Sequence, residues 1–249
     1  MSHSTPPYVP RIRDPATPII VAIDGPAAAG KSSTARWVAE RLGFYHIDSG
    51  ALYRAATAAV LRACDAQPWD ESDVLRAAQR VTARDERRAF VLLVDGRELE
   101  QEMRGGTVTQ HVSRVAQMRG VRDWVNAQVR TLATGRSVVV DGRDIGTVVF
   151  PDAHLKIFLI ADPWERARRR LIQRLGRSPK DQEIAEETER LVQRDARDST
   201  QTVQAKDAVL LDTTYLTQEE QVERIVALVK VLKSDKAGHG RTMPEDGQG

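Results

Sequence analysis

The sequence predicts an α/β domain, a three-layer arrangement in which helices cover both faces of a parallel sheet. Short β-rich apolar runs alternate with longer stretches of helical periodicity through most of the 249 residues, and such alternation is typical of parallel sheets. Four of the runs also end in aspartate followed by glycine, serine or threonine. Ligands of open α/β sheets bind beyond the carboxyl ends of the strands, so we expect these four ends to share one rim.

We interpret five runs as strands: residues 19–24, 44–48, 138–141, 155–160 and 208–212. The helix candidates between or after them are residues 31–42, 50–65, 110–134, 163–176, 180–199 and 217–233. Residues 66–108 interrupt the alternation with a helix candidate at 71–84 and extended segments at 90–94 and 98–100, separated by Asp95-Gly96. Asp-Gly between extended segments is a hairpin signal, so we predict a small α+β insert there.

These boundaries predict one domain at residues 17–234. Its core comprises 17–65 and 109–234, and the insert comprises 66–108. The proline-rich residues 1–16 and the glycine-rich, polar residues 235–249 have the composition of disordered tails.

The composition excludes several classes of protein. The 37 Lys and Arg are offset by 35 Asp and Glu, leaving a net charge of +2; general nucleic-acid binders and anionic-membrane binders carry a larger basic excess. A single cysteine leaves no intramolecular disulfide framework and no multi-cysteine zinc site. No run approaches the ~18 apolar residues of a membrane span, and the N-terminus lacks the apolar segment of a signal peptide. We expect a cytoplasmic monomer without nucleic-acid or membrane partners.

A phosphate-binding loop follows the first predicted strand. Residues 25–32, Gly-Pro-Ala-Ala-Ala-Gly-Lys-Ser, match G-x-x-x-x-G-K-[ST] between a strand and an amphipathic helix, the setting that the motif requires. The glycines allow backbone N–H groups to surround phosphates at a helix N-terminus. Lys31 is expected to reach the β- and γ-phosphates of ATP, and the Ser32 hydroxyl to bind Mg²⁺.

Two further strand ends carry candidates for binding an acceptor. After the second strand, Ser49 is a candidate helix cap, and Tyr53 and Arg54 follow one turn later. After the third, Arg143 is a candidate phosphate ligand, and Asp144 is a candidate acceptor for an exocyclic amine such as cytosine N4.

The last group of candidates lies on two predicted helices joined by a turn at residues 176–179. Arg166, Arg169 and Arg170 share one helix face by their spacing, and Arg194 and Asp198 share a face of the next helix. This pair of helices, residues 166–200, is predicted to form a hinged lid that closes over phosphates.

At this point the chain resembles the bacterial cytidylate kinase family, which has the P-loop nucleoside monophosphate kinase fold. The most specific matches are residues 23–26, 48–54 and 141–151, and the likeness extends over about residues 19–231. The resemblance implies transfer of the ATP γ-phosphate to CMP or dCMP, giving CDP or dCDP and ADP. It also implies that the insert is the family's nucleoside-monophosphate-binding region.

The resemblance implies a set of site residues, each at a position of this sequence that matches the family pattern. For ATP they are Gly25, Pro26, Ala27, Ala28, Ala29, Gly30, Lys31, Ser32 and Ser33. For the acceptor phosphate they are Ser49, Tyr53, Arg54 and Arg143; for the cytosine ring Ser113, Arg122 and Asp144; and for the ribose Arg194 and Asp198. Lys31, Arg143 and the lid residue Arg169 are the expected catalytic residues, and Ser32 is the expected metal ligand.

One segment departs from the family pattern. Gln201 stands where the family commonly has an arginine after Asp198. Either another arginine replaces that contact with the acceptor phosphate, or the acceptor binds more weakly.

The residues predict catalysis by positive charge rather than by a general base, because none of the five histidines falls in a candidate cluster. We expect Lys31→Ala and Arg143→Ala to lose most turnover while the fold survives. Two other interpretations stay open at this stage: a P-loop kinase with a different small acceptor, and a nucleotide-dependent switch or RNA-binding module.

Overall fold

The computed structural model describes residues 18–64 and 68–238. The strands are β1 (Ile20–Asp24), β2 (Tyr45–Asp48), β3 (Val81–Glu86), β4 (Ala89–Val94), β5 (Arg97–Glu98), β6 (Val138–Asp141), β7 (Leu155–Ile160) and β8 (Val209–Asp212). The helices are α1 (Lys31–Leu42), α2 (Ser49–Ala63), α3 (Glu71–Ala78), α4 (Glu100–Arg104), α5 (Gly106–Val115), α6 (Arg119–Ala133), α7 (Pro163–Leu175), α8 (Asp181–Asp198) and α9 (Gln218–Gly238). A short π-helical turn occupies Ile145–Val149.

The described strands form one sheet in the order β3-β4-β2-β6-β1-β7-β8, with β5 paired to β4. β2, β6, β1, β7 and β8 pair in parallel, so the five predicted strands are confirmed and their carboxyl ends share one edge. Asp48 lies opposite Asp141, and Asp141 lies opposite Ile23. The predicted rim of strand ends is therefore present.

The sheet is mixed rather than wholly parallel, because strands from the predicted insert extend it. β4 pairs with β2 in parallel, and β3 and β5 pair with β4 in antiparallel orientation. The helix predicted at 71–84 is wrong beyond Ala78. Residues 81–86 form β3 instead, because their backbone pairs with all of β4 from Val81–Val94 to Glu86–Ala89.

Two helix predictions also change. The single helix predicted at 110–134 is two helices, α5 and α6, separated at residues 116–118, where the Gln117 and Met118 amides donate to carbonyls three residues earlier. The last helix continues to Gly238, so the first residues of the predicted tail 235–249 are helical. The rest of that tail and the predicted tail 1–16 lie outside the described residues.

Each face of the sheet covers a separate apolar cluster. Val138 and Val140 of β6 belong to the cluster beneath α2, α3, α5 and α6, whereas Val139 belongs to the cluster beneath α1 and α9. This assignment follows from the period-two alternation of side chains along a strand. Within the described part of the chain, no helix is long and apolar enough to cross a membrane.

A third, smaller cluster joins the two lid helices to the phosphate-binding loop. It contains Ala27 of the loop, Ala167 and Leu171 of α7, and Ile184 and Leu191 of α8. The lid helices therefore pack directly on the loop through buried apolar contacts.

Candidate active site

The phosphate-binding loop between β1 and α1 requires glycine at two positions. Gly25 has φ +145°, and a Cβ atom there would lie 2.2 Å from the Leu159 carbonyl oxygen of β7. Gly30 has φ +88° and is the N-cap of α1. Side chains other than hydrogen are strongly disfavoured in such backbone conformations. The loop can therefore pass close to β7 after leaving β1, and it directs the N-terminus of α1 toward the rim.

Lys31 is buried at the first position of α1. Its Nζ donates to the Pro26 carbonyl at 2.7 Å. Burial, together with the nearby positive charge of Arg143, lowers the pKa of Lys31 well below its usual value. A bound polyphosphate would supply the anionic partner that this ammonium group needs in a buried site.

Asp141 connects Ser32 to a histidine that the sequence analysis left out of the site. One Asp141 carboxylate oxygen accepts from Ser32 Oγ at 2.5 Å, and the other lies 2.7 Å from His46 Nε2. Burial alone lowers the pKa of His46, but its hydrogen bond to Asp141 and the charges of Asp141 and Asp48 raise the pKa overall. Both residues line the cleft. The expectation that no histidine joins the site was wrong, because the parallel pairing of β2 and β6 brings His46 beside Asp141.

A cleft of about 730 Å³ opens at the carboxyl ends of the strands. It brings together most of the predicted site residues, namely Ala27, Ala28, Lys31, Ser32, Ser33, Ser49, Tyr53, Arg54, Ser113, Arg122, Arg143, Asp144, Arg194 and Asp198. Of the predicted ATP-binding residues, Gly25, Pro26, Ala29 and Gly30 do not line this cleft.

Guanidinium groups from three elements converge on this cleft. Arg54 of α2 donates to the Met103 carbonyl and to Thr109 Oγ1, both at 3.1 Å. Burial lowers its pKa, and burial followed by repulsion from Arg143 lowers the pKa of Arg194 to about 10. The Nε of Arg194 is buried without a hydrogen-bond partner among the described residues. Each guanidinium destabilises the charged form of its neighbours, so an anion bound between them would relieve the repulsion.

Arg143 connects the phosphate-binding loop to α8. Its Nη1 donates to the Gly25 carbonyl at 2.9 Å, and its Nη2 lies 3.4 Å from an Asp198 carboxylate oxygen of α8. The side chain therefore contacts the loop and the lid helix at the same time.

Asp144 and Arg122 form a charged pair in the wall of the cleft. Arg122 Nη2 donates to Asp144 Oδ2 at 2.5 Å. Burial raises the pKa of Asp144, and the charge of Arg122 opposes that rise. Ser113 of α5 lines the same cleft. The pair presents a carboxylate and a guanidinium side by side, a donor and acceptor set suited to the edge of a nucleobase.

The start of α2 differs from the prediction that Ser49 caps this helix. Asp48 is the N-cap, since its side chain accepts from the Ala51 amide at 3.0 Å. Ser49 is the first helical residue, and its hydroxyl donates to the Asp141 carbonyl at 2.8 Å. Asp48 precedes the helix in extended backbone, which is the geometry of a cap. Ser49 instead fixes β6 to α2 at the rim.

Tyr53 lies one turn into α2. Burial raises the pKa of its phenol above the usual range, with the Asp144 charge contributing in the same direction. The hydroxyl therefore stays protonated and can donate a hydrogen bond.

The lid helices are tied to the loop through Ala27. The Ala27 amide donates to Asp195 Oδ1 of α8 at 2.9 Å, and Arg166 of α7 donates to the Ala27 carbonyl at 2.7 Å. Arg166 also pairs with Asp195 at 2.6 Å. Arg166 and Asp195 therefore hold the backbone of the loop as well as each other.

The structure does not bring Arg169 together with Lys31 and Arg143 in the cleft lining. Arg169 Nη2 donates to the carbonyls of Thr213 and Thr214 at 2.7 and 2.6 Å. It lines a second cavity of about 950 Å³, which shares Ala28 and Ser33 of the loop with the cleft. The spacing predicts that Arg166, Arg169 and Arg170 share one face of α7. Of these three, only Arg170 lines the first cleft.

Two cleft residues bear on the departure at Gln201. Gln201 itself lines the cleft, and its Nε2 donates to the Ala116 carbonyl at 3.2 Å. Arg104 at the end of α4 also lines the cleft and was missed by the sequence analysis. The sequence does little to single out Arg104, because an isolated arginine in the insert looks like an ordinary surface residue.

Comparisons with known proteins agree with one another. The family model described as "Cytidylate kinase" matches residues 21–231. "Cytidylate kinase" of Chlorobaculum tepidum is 44% identical, with 86% of this chain and 94% of the relative covered. "Cytidylate kinase" of Caldanaerobacter subterraneus subsp. tengcongensis is 42% identical, covering 84% and 94%, and that of Geobacillus kaustophilus is 44% identical, covering 85% and 96%. The chain therefore belongs to the cytidylate kinase family.

Proposed function

We propose that this protein transfers the γ-phosphoryl group of ATP to CMP or dCMP, giving CDP or dCDP and ADP. The observation that carries the proposal is that one cleft contains both Lys31 of the phosphate-binding loop and the converging guanidiniums of Arg54, Arg143 and Arg194. A cleft of this kind can hold two phosphate groups within reach of each other. Membership of the cytidylate kinase family supports CMP and dCMP as the acceptors.

In this proposal the donor and acceptor enter from the two cavities that meet at the loop. The first cleft takes the acceptor, because it contains Ser49, the guanidiniums and the Asp144–Arg122 pair. The second cavity then takes the nucleoside of ATP, with its phosphates on the loop between them. Arg169 would act from the donor side, along the phosphate chain.

Mg²⁺ fits the donor site as a partner of ATP. The Ser32 hydroxyl and the Asp141 carboxylate are hard oxygen donors 2.5 Å apart, and Mg²⁺ in phosphotransferases is held by one or two such groups together with substrate phosphates. Ser32 would contact the ion, and Asp141 would orient Ser32. When bound, the ion would neutralise charge on the β- and γ-phosphates.

We propose that the acceptor is recognised as follows. Ser49, Tyr53, Arg54 and Arg143 hold the phosphate, Arg194 and Asp198 contact the ribose, and Ser113, Arg122 and Asp144 read the base. Asp144 accepts from cytosine N4. Uracil presents the acceptor O4 at that position and is disfavoured by the carboxylate.

The chemistry needs little proton transfer. With a second pKa of about 6, a phosphate monoester is mostly dianionic at neutral pH. One of its oxygens attacks the γ-phosphorus in line, the bond to the bridging oxygen breaks, and ADP leaves. Repulsion between two polyanions is the obstacle. Lys31 and Arg143 counter it by placing fixed positive charge around the transferring group.

The direct test is an ADP-release assay with CMP, dCMP, UMP, AMP or no acceptor. We expect CMP and dCMP to be used, with kcat/KM for UMP lower by roughly 5- to 150-fold, since each good base-edge contact is worth ~1–3 kcal/mol. In Asp144→Asn the amide can donate to O4, so the ratio of CMP to UMP should fall. Release of ADP without an acceptor, or best use of AMP, would instead favour the switch or another small-acceptor kinase.

The location and assembly proposed for this enzyme follow from its substrates and composition. A nucleotide kinase with one free cysteine, Cys64, fits a reducing cytoplasm. We propose that it acts there as a monomer on free nucleotides.

A further inference from the structure

Tyr215 is an aromatic side chain held at the edge of the donor cavity with almost no packing of its own. It is 91% exposed, more than any other large apolar or aromatic side chain in the described part of the chain. It nevertheless lines the second cavity, the one that also contains Gly30 and Ser33 of the phosphate-binding loop. Tyrosine combines a large apolar ring with a polar hydroxyl and is enriched at binding surfaces, so a ring at the edge of this cavity is a candidate binding group.

The backbone that carries Tyr215 is rigid on both sides. Thr213 donates through its amide to the Ile160 carbonyl at 2.8 Å, and the Leu216 amide donates back to Thr213 at 3.2 Å. The Thr214 amide and hydroxyl both donate to Asp212 Oδ1, at 2.9 and 2.6 Å. The backbone at Tyr215 is therefore held by a turn anchored to β7 and β8.

Positively charged groups line the rest of this cavity. Its basic lining residues are Arg54, Arg104, Arg168, Arg169, Arg170 and Arg174, and Glu165 is the acidic one. Arg169 also donates to the Thr213 and Thr214 carbonyls, which connects the guanidinium directly to the turn that carries Tyr215. Such a cavity suits a ligand with an aromatic part and a polyphosphate part.

The arrangement of the two cavities around the loop indicates which nucleotide group reaches Tyr215. The loop binds the donor phosphates, and Ala28 and Ser33 of the loop line both cavities, as do Arg54, Arg104 and Arg170. These shared residues mark the junction where the phosphates of the two nucleotides would meet. The first cleft is filled by the acceptor in the proposed function, on which this step rests. The base of the donor is then the aromatic group that extends into the second cavity.

We infer that Tyr215 is a binding residue for the donor nucleotide, whose base stacks on its ring. Stacking needs only a π-face and is tolerant of base identity. Tyr215 therefore contributes affinity for ATP without reading adenine by hydrogen bonds.

The test measures binding of ADP and of inorganic pyrophosphate, by calorimetry with Mg²⁺ and without an acceptor. In Tyr215→Ala we expect the Kd of ADP to rise about 5- to 150-fold, the range for loss of one base–aromatic stack. Pyrophosphate has no base, so its Kd should stay within about twofold. Tyr215→Phe keeps the ring and should bind ADP like the wild type, and GDP should respond as ADP does.

A matched control is available in Trp164→Ala. Trp164 is a partly exposed aromatic residue at the start of α7 and lines neither cavity, so its removal should leave both dissociation constants unchanged. In the CMP assay, Tyr215→Ala should raise KM for ATP while KM for CMP stays constant.

The results separate this inference from the proposed function. Equal weakening of ADP and pyrophosphate in Tyr215→Ala would mean that the turn had shifted, and would overturn the stacking role, as would unchanged ADP binding. Failure of the wild-type protein to phosphorylate CMP would refute the proposed function instead. ADP binding is measured without CMP, so it tests Tyr215 in either case.

Discussion

Replacing Arg143 with alanine separates the catalytic role proposed for this residue from its contribution to the fold. The side chain makes one good hydrogen bond, to the Gly25 carbonyl at 2.9 Å, and one loose ion pair, to Asp198 at 3.4 Å. Its charge also lowers the pKa values of Lys31 and Arg194. Removing it therefore takes away two favourable contacts and a repulsion at the same time.

The expected magnitudes differ greatly between stability and turnover. A hydrogen bond involving a charged group contributes ~1.5–3 kcal/mol, and relief of repulsion offsets part of that loss, so the free energy of unfolding should fall by less than ~2 kcal/mol. An arginine that stabilises charge on a transferring phosphoryl group contributes roughly 10³–10⁵ in kcat, which corresponds to ~4–7 kcal/mol of barrier. We expect kcat to fall at least about a thousandfold.

The assay compares kcat for CMP with urea unfolding in the same preparations. Arg136→Ala is the control, because Arg136 also makes one carbonyl hydrogen bond, to Leu132 at 3.2 Å, and one loose ion pair, to Asp85 at 3.9 Å. Its guanidinium also lies over the rings of Tyr45 and Phe90, and it lines neither cavity. We expect this variant to lose at least as much stability as Arg143→Ala and to keep its kcat. A folded Arg143→Ala enzyme with kcat within tenfold of the wild type would refute the reasoning, and so would an equal loss of turnover in the control.

Two further predictions concern acceptor affinity and pH. Gln201→Arg adds a guanidinium to the acceptor cleft, so KM for CMP should fall by about tenfold with kcat nearly constant; an unchanged KM would show that Gln201 does not face the phosphate. Burial raises the pKa of Asp24 to about 6 despite the amides of Ile145 and Gly146 that donate to it. Folding then favours the protonated acid, so its stabilising contribution is greatest below about pH 4 and is lost as pH rises through about 6. The stability of wild type relative to Asp24→Asn should therefore increase by ~2 kcal/mol from pH 7 to pH 4; urea unfolding of both proteins at several pH values checks this, and a flat or opposite trend contradicts it.

The core of the fold was predictable because its signals are local. A strand such as Val138–Asp141 is a short apolar run that ends in aspartate, and the loop at residues 25–32 has a fixed spacing between glycines, lysine and serine. Helix bounds such as Lys31–Leu42 follow from the loop before them and Gly43 after them, which caps the helix at φ +68°. Periodicity and turn chemistry are read within a few residues, so distant parts of the chain do not disturb them.

The insert was harder to predict because its structure depends on pairing. The predicted helix included residues 81–84, and pairing with β4 makes residues 81–86 a strand instead. Residues 116–118, which separate α5 from α6, contain no glycine or proline, so composition did not indicate a break there.

The sequence by itself determined the phosphate-binding loop, the order of the strands along the chain and the set of arginines and aspartates at the rim. Only the tertiary structure decided which of these side chains meet. His46 contacts Asp141 because β2 lies beside β6. Arg169 donates to the Thr213 and Thr214 carbonyls and not toward Lys31, and Tyr215 lines the second cavity. The physical reason is that a motif fixes the backbone over a few residues, whereas a binding site is set by the packing of strands and helices that are far apart in the chain.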